Sequence, residues 1–210
     1  LICALGGEGG GVLTEWLVEI ARRAGHAVQA TSIPGVAQRT GATTYYLELS
    51  AAPWPADARR PVLSLYPVPG QIDALVSSEL LETTRQIGLG MATRERTLVI
   101  SSSSRTLTTA ERMHGGDGRT ASTALVDVVR EHARAHHVLD MAQLARESGT
   151  ITSAVMLGAI AASGLLPFAR ADYEAVIAGA QPGSASNQAS LRGFGAAWEA
   201  LARQRERADY

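Results

Sequence analysis

The chain has 210 residues and a mass of 22.0 kDa, long enough for one large domain with a buried core. With 46% hydrophobic and 19% charged residues it is not a disordered chain. Its net charge of -1 lacks the basic excess of a nucleic-acid binder. All 19 cations are arginine. The absence of lysine excludes a Schiff-base lysine, a pyridoxal-phosphate anchor and a P-loop lysine. The single cysteine, Cys3, excludes an intramolecular disulfide, an all-cysteine zinc site and an iron–sulfur cluster, so any electron-transfer centre belongs to another chain.

Residues 1–5 form an apolar run that reads as a strand ending in glycines. Helical spacing of Val12, Leu13, Trp16, Leu17 and Ile20 predicts a helix over 11–24, closed by Gly25. A short strand is expected over 26–31, giving the strand, glycine loop, helix, strand opening of a Rossmann-like sheet. A loop over 32–41 holds Pro34, Gly35 and Gly41, and alternation over 43–49 predicts a strand. Residues 51–60, with Pro53 and Pro55, read as a surface connection. Further strands are expected at 62–66, 73–76 and 97–100, a helix over 78–90, and a small edge strand at 107–109. Residues 114–119 hold three glycines and read as a loop. A helix over 122–135, a short strand at 138–139 and a turn or two of helix at 141–146 follow. Helices over 152–163, 170–178 and 190–208 complete the chain.

Residues 148–169 carry no charge, but their small residues, Gly164 and Pro167 predict a buried, close-packed helix rather than a membrane span. The expected fold is α/β: a Rossmann-like, mostly parallel sheet with flanking helices and a helical C-terminal layer. Residues 1–210 are read as one domain, with a fragment of a longer chain as the open alternative. With no leader visible, the cytoplasm is the default compartment.

Two constellations carry candidate chemistry. GGEGGG, Gly6 to Gly11, lets the backbone approach a ligand, and the following helix start favours an anion. Gly7, Gly9 and Gly11 are the candidate contacts; the alternative is a tight turn without a ligand. The third glycine of a dinucleotide fingerprint falls on Val12, and the second strand ends without the acid that holds a ribose, which counts against NAD. The second constellation is the loop after that strand, with Ser32, Gln38, Arg39 and Gly41. Its arginine suits capture of a carboxylate or phosphate, or satisfies loop carbonyls. Adjacent parallel strands would set the two loops side by side. His132 and His136 have i, i+4 spacing with His137 adjacent, but no glutamate lies between them; they read as a solvated helix end and no metal site is expected. Ser101 to Ser104 lack a nucleophile elbow and read as a polar loop. No catalytic residue is identified.

Five segments carry a family resemblance: GGEGGGVLTEWLVEIARRAGH, TSIPGVAQRTGATTYYLEL, SSELLE at 77–82, GDGR at 116–119 and SAVMLGAIAASGLLPF at 153–168, with LRGF at 191–194 in the same order. The chain resembles the gamma-type subunit or domain of 2-oxoacid:ferredoxin oxidoreductases, most like the beta subunit of indolepyruvate oxidoreductases. The family loop reads like G-x-G-G-Q-G, whereas Glu8 and Gly10 stand here at the third and fifth positions. The resemblance implies oxidative decarboxylation of an aryl 2-oxoacid with coenzyme A to an acyl-CoA, carbon dioxide and reduced ferredoxin. It implies that this chain alone binds no cofactor. Thiamine diphosphate, Mg and 4Fe-4S clusters would sit on a larger alpha-type partner, which forms a heterotetramer with it and passes electrons to ferredoxin. This chain would complete the active site of that partner, with no nucleic acid or membrane as ligand. The alternatives are a stand-alone nucleotide-binding reductase and a purely structural assembly subunit.

Overall fold

The computed structural model describes residues 1–33, 42–107, 111, 113, 120–179, 181 and 183–206. The strands are β1 (Ile2–Leu5), β2 (Val28–Ile33), β3 (Ala42–Leu49), β4 (Ala74–Ser77), β5 (Leu98–Ser102) and β6 (Ala135–Leu139). The helices are α1 (Gly10–Arg23), α2 (Leu80–Gly88), α3 (Ser122–His132), α4 (Met141–Ser148), α5 (Thr152–Ser163), α6 (Arg170–Ala178) and α7 (Ala185–Arg205). The six strands form one sheet in the order β2-β3-β1-β4-β5-β6. β1, β4, β5 and β6 run parallel, and β3 runs antiparallel to both β1 and β2.

This order corrects the expectation that the first two strands are neighbours. β1 and β2 point the same way, but β3 lies between them, with Tyr45 opposite Ile2 on one side and Ser32 on the other. Chain length sets the direction of β3, and pairing across the sheet places it beside β1. The eight residues of 34–41 are too few for a parallel crossover, which takes about a dozen or more, so β3 must return antiparallel beside β2.

The period-2 alternation of the strands builds two cores. Ile2, Val76, Leu98 and Ile100 face a layer formed by α1 and α4 to α7. Leu1, Cys3, Leu75 and Val99 face α2 and α3. α5 is the centre of the first layer, with every residue from Thr152 to Ala162 buried. It lies so close to α7 that a Cβ on Gly158 would overlap the Phe194 carbonyl, and one on Gly193 would stand 2.6 Å from Thr150 Cγ2. α1 ends as expected: Gly25, at φ 79°, donates to Arg22 O and His26 N–H to Ala21 O, closing a Schellman motif.

Three element expectations are corrected. Residues 62–66 form no strand, since Pro61, Pro67 and Pro69 lack donors and the backbone is held by sheet side chains. Gln29 Nε2 donates to Ser64 O at 3.1 Å, Thr31 Oγ1 to Leu65 O at 2.7 Å, and Ser64 N–H to Glu48 Oε2 at 2.5 Å. The expected helix over 122–135 ends at His132, because Ala133 turns extended and Arg134 N–H joins Thr97 O at 2.9 Å, which starts β6. Ser101 and Ser102 belong to β5 and are buried rather than forming a loop. Of the expected edge strand at 107–109, Leu107 is not in a strand and the other two positions lie outside the described residues, as does the loop at 114–119.

Candidate functional site

α1 leaves β1 toward one face of the sheet and α2 leaves β4 toward the other. The carboxyl ends of these adjacent parallel strands are therefore a topological switch point, where open α/β sheets take ligands. Three loops meet there: the glycine loop after β1, Ser78-Glu79 after β4, and 103–106 after β5.

The glycine loop is shaped by close approach. Gly9 caps α1 at φ 79°, and a Cβ there would stand 2.8 Å from Ser153 Oγ and 2.7 Å from Ile151 Cδ1. A Cβ on Gly10 would meet the Tyr45 ring at 2.6 Å and Ala4 at 2.7 Å. Gly11 lies in the first turn of α1 near the Tyr45 hydroxyl, and Gly7 sits at the tip of the turn with open space around it. Gly9 offers no capping side chain, and the first turn of a helix has no internal partner for its amides.

Glu8 does not extend outward from this loop. Its carboxylate turns into the crevice and accepts from Leu5 N–H at 3.1 Å and from the Ser78 hydroxyl. Its main-chain carbonyl accepts Ser153 N–H at 3.1 Å. Burial raises its carboxyl above the ordinary carboxylate range, opposed by the bonds from Ser78 and Leu5. Ser153 Oγ, fully buried beside Gly9, has no hydrogen-bond partner.

Next to it, Glu79 caps α2 and is 1% exposed. Its carboxylate accepts Glu82 N–H at 2.6 Å and Thr106 N–H at 3.0 Å, and Arg105 Nε stands 3.9 Å away. Burial raises the Glu79 carboxyl, offset by these partners. Arg105 also donates to Thr120 O at 2.7 Å and to Glu111 Oε1 at 2.5 Å, pinning the two ends of the segment between them to the carboxyl edge. Thr83 and Ser101 share a buried hydroxyl contact of 2.6 Å beneath it.

Of the sequence candidates, Gly7, Gly9 and Gly11 lie at this crevice. Ser32 is the exposed penultimate residue of β2, two strands from β1, about 10 Å across the ladder. Gln38, Arg39 and Gly41 lie outside the described residues. Ser78, Glu79, Tyr45 and Ser153 were not expected. Their signal was present only as a Ser-Ser-Glu run after a short strand, a Tyr on an alternating strand, and a Ser opening an uncharged helix.

The histidines do not share a helix. His132 ends α3, whereas His136 and His137 lie on β6, and His137 is buried with Nδ1 3.2 Å from Gln204 Oε1. Burial lowers His136 and His137 below the ordinary imidazole range. Among the described residues no group of three His, Cys, Asp or Glu could hold a metal ion, and no helix is long and apolar enough to cross a membrane. Trp16 and Trp198 pack against the first core, and Trp54, 39% exposed, donates to Arg59 O.

Comparison with known proteins gives the same architecture. The keto/oxoacid ferredoxin oxidoreductase gamma subunit of Geobacter sulfurreducens superposes with a TM-score of 0.60 at 15% identity, covering 95% of each chain. A pyruvate oxidoreductase subunit of Thermotoga maritima gives 0.55 at 16% identity, covering 96% of this chain and 94% of its own. The 2-oxoglutarate:ferredoxin oxidoreductase of Magnetococcus marinus, solved with 2-oxoglutarate, coenzyme A and succinyl-CoA, gives 0.62 at 19% identity over 99% of this chain. This chain spans only 31% of that one. No curated protein sequence matches. At these identities the superpositions speak for the fold, while the sequence itself matches the family described as pyruvate ferredoxin/flavodoxin oxidoreductase over residues 1–200, and the chain therefore belongs to that family.

Proposed function

We propose that this chain is the gamma-type subunit of a 2-oxoacid:ferredoxin oxidoreductase that oxidatively decarboxylates an aryl 2-oxoacid, of the indolepyruvate kind, with coenzyme A. The observation that carries the reading is the family match along residues 1–200. Thiamine diphosphate, Mg and the 4Fe-4S clusters are assigned to a larger alpha-type partner, with ferredoxin as the acceptor and the cytoplasm as the compartment. The cysteine count supports that division, since a 4Fe-4S cluster is held by four thiolates and this sequence has one. We read residues 1–210 as one domain.

The part played by this chain is to complete the partner's active site from its carboxyl edge. Gly7, Gly9, Gly11, Ser32, Gln38, Arg39 and Gly41 are the proposed ligand- or partner-facing residues. Arg39 is the only cation among them and has the planar fork that binds a carboxylate or phosphate. It takes an anionic group of coenzyme A or of the 2-oxoacid, or a carboxylate of the partner.

Affinity purification of the tagged chain from its native cells tests the reading. A larger, brown, cysteine-rich subunit should accompany it, and the pair should reduce ferredoxin with an aryl 2-oxoacid and coenzyme A. Micromolar binding of NAD(P)H by the chain alone, with no such subunit, would replace the reading with a stand-alone reductase.

A further inference from the structure

The switch point between β1 and β4 is occupied by the chain itself. Glu8 Oε2 accepts Leu5 N–H at 3.1 Å and the Ser78 hydroxyl, and the same Leu5 N–H lies 3.2 Å from Ser78 Oγ. A backbone amide at a strand end and a hydroxyl from the facing loop are the donors that such a crevice offers to an anionic ligand. Among the described residues no cation is paired with the carboxylate. Burial and the bonds from Ser78 and Leu5 are what act on it. α5, whose Ser153 N–H holds the Glu8 carbonyl, has no charged residue between Thr152 and Ser163. From the β4 side, the neighbouring Glu79 is turned to Arg105 and to the Glu82 and Thr106 amides. A carboxylate without a task here would stay in water, where its charge is fully hydrated.

We infer that Glu8 is a specificity-determining residue: its carboxylate sits in the β1–β4 seat as a tethered anion and closes that seat to the carboxylates and phosphates of free ligands. The inference rests on the reading of the carboxyl edge as the ligand and partner side. Its consequence is that any anionic group of the bound molecule is held outside this crevice.

Vacating the seat tests it, with formate as the probe. In Glu8→Ala the Leu5 amide and the Ser78 hydroxyl lose their carboxylate, and formate should replace it. The expected result is a saturable rise in Tm of about 3–5 °C at a formate concentration tenfold above its dissociation constant, measured against chloride at equal ionic strength. The wild-type protein, with the seat filled, should show no rise beyond chloride. Adding Ser78→Ala to Glu8→Ala should abolish the response. Glu8→Ser, which keeps a small polar side chain in the loop, gives the same readout if the alanine variant does not fold. An equal formate response in the wild type, no response in either variant, or a response indifferent to Ser78→Ala overturns the inference. Purification with the larger subunit separates the two readings. A formate response without that subunit leaves this inference and removes the proposed function, and the reverse pattern removes this inference alone.

Discussion

Glu8 and Cys3 both lose water on folding, and burial raises the pKa of each. For Glu8, burial raises the folded-state pKa, so ionising it costs more in the fold than in the unfolded chain. The stability it contributes is complete below the unfolded carboxyl range and is lost as pH rises through the raised folded value. Glu8→Gln keeps an oxygen for Leu5 N–H and an amide for Ser78 without the charge. Its Tm relative to wild type should therefore climb as pH rises from about 4 and level off above the folded value. A difference that is flat across that range would show that Glu8 is solvated. Cys3 is fully buried, and burial followed by the Glu82 charge pushes its thiol up to about 12. Iodoacetamide at pH 8 should leave the native chain unlabelled and label it rapidly in denaturant, as mass spectrometry would read. At Arg39 the expectation is a functional loss without unfolding. If it meets coenzyme A, Arg39→Ala should raise the coenzyme A KM and leave the 2-oxoacid KM unchanged. If it docks the partner, assembly should weaken, more so with added salt, and Arg39→Lys should rescue only in part. Full activity and assembly in Arg39→Ala would remove that loop from the site.

α5 shows how an element without amphipathic pattern is stabilised. Its apolar residues surround it, so it is buried on every side, and its packing depends on where small residues fall. At Gly158 the neighbour is the Phe194 backbone carbonyl, which cannot rotate out of the way as a side chain could. Gly158→Ala should already lower stability by about 1–3 kcal/mol, and Gly158→Leu by more, as denaturant unfolding would measure. An unchanged midpoint would contradict the close contact of α5 and α7. The same contact sets the site, because the start of α5 supplies the Ser153 N–H that fixes the Glu8 carbonyl. A Gly158 substitution should therefore also loosen the glycine loop, visible as faster amide exchange at Ser153.

For the whole molecule the sheet order decides which loops meet. β3 stands beside β1 on one side, and on the other side the crevice beside the glycine loop is lined from β4, by Ser78 and Glu79. The carboxyl ends of β1 and β2 lie on the same edge of the sheet, since the two strands point the same way. The purified chain alone should be colourless and carry no stoichiometric iron. Near one cluster per chain by iron analysis would contradict the assignment of the electron-transfer centres to a partner.

The sequence by itself determined the composition-based exclusions, the glycine loop between strand and helix, most helices and the family resemblance. These depend on residues near one another in the chain: five glycines in six positions, apolar spacing at 3.6, and an uncharged run broken by Gly164 and Pro167. Tertiary structure alone decided the rest. Whether β3 enters between β1 and β2 depends on pairing across the sheet, where alternation tells which residues share a face but not which strand stands beside which. The end of α3 at His132 follows from β6 pairing with β5, against the local helical pattern of Ala133 to Ala135. Glu8 reads locally as a lone acid in a glycine loop, and its contact with Ser78, 70 residues away, is made only by the fold. A side chain takes the partners that folding brings to it, and those partners are not encoded beside it in the chain.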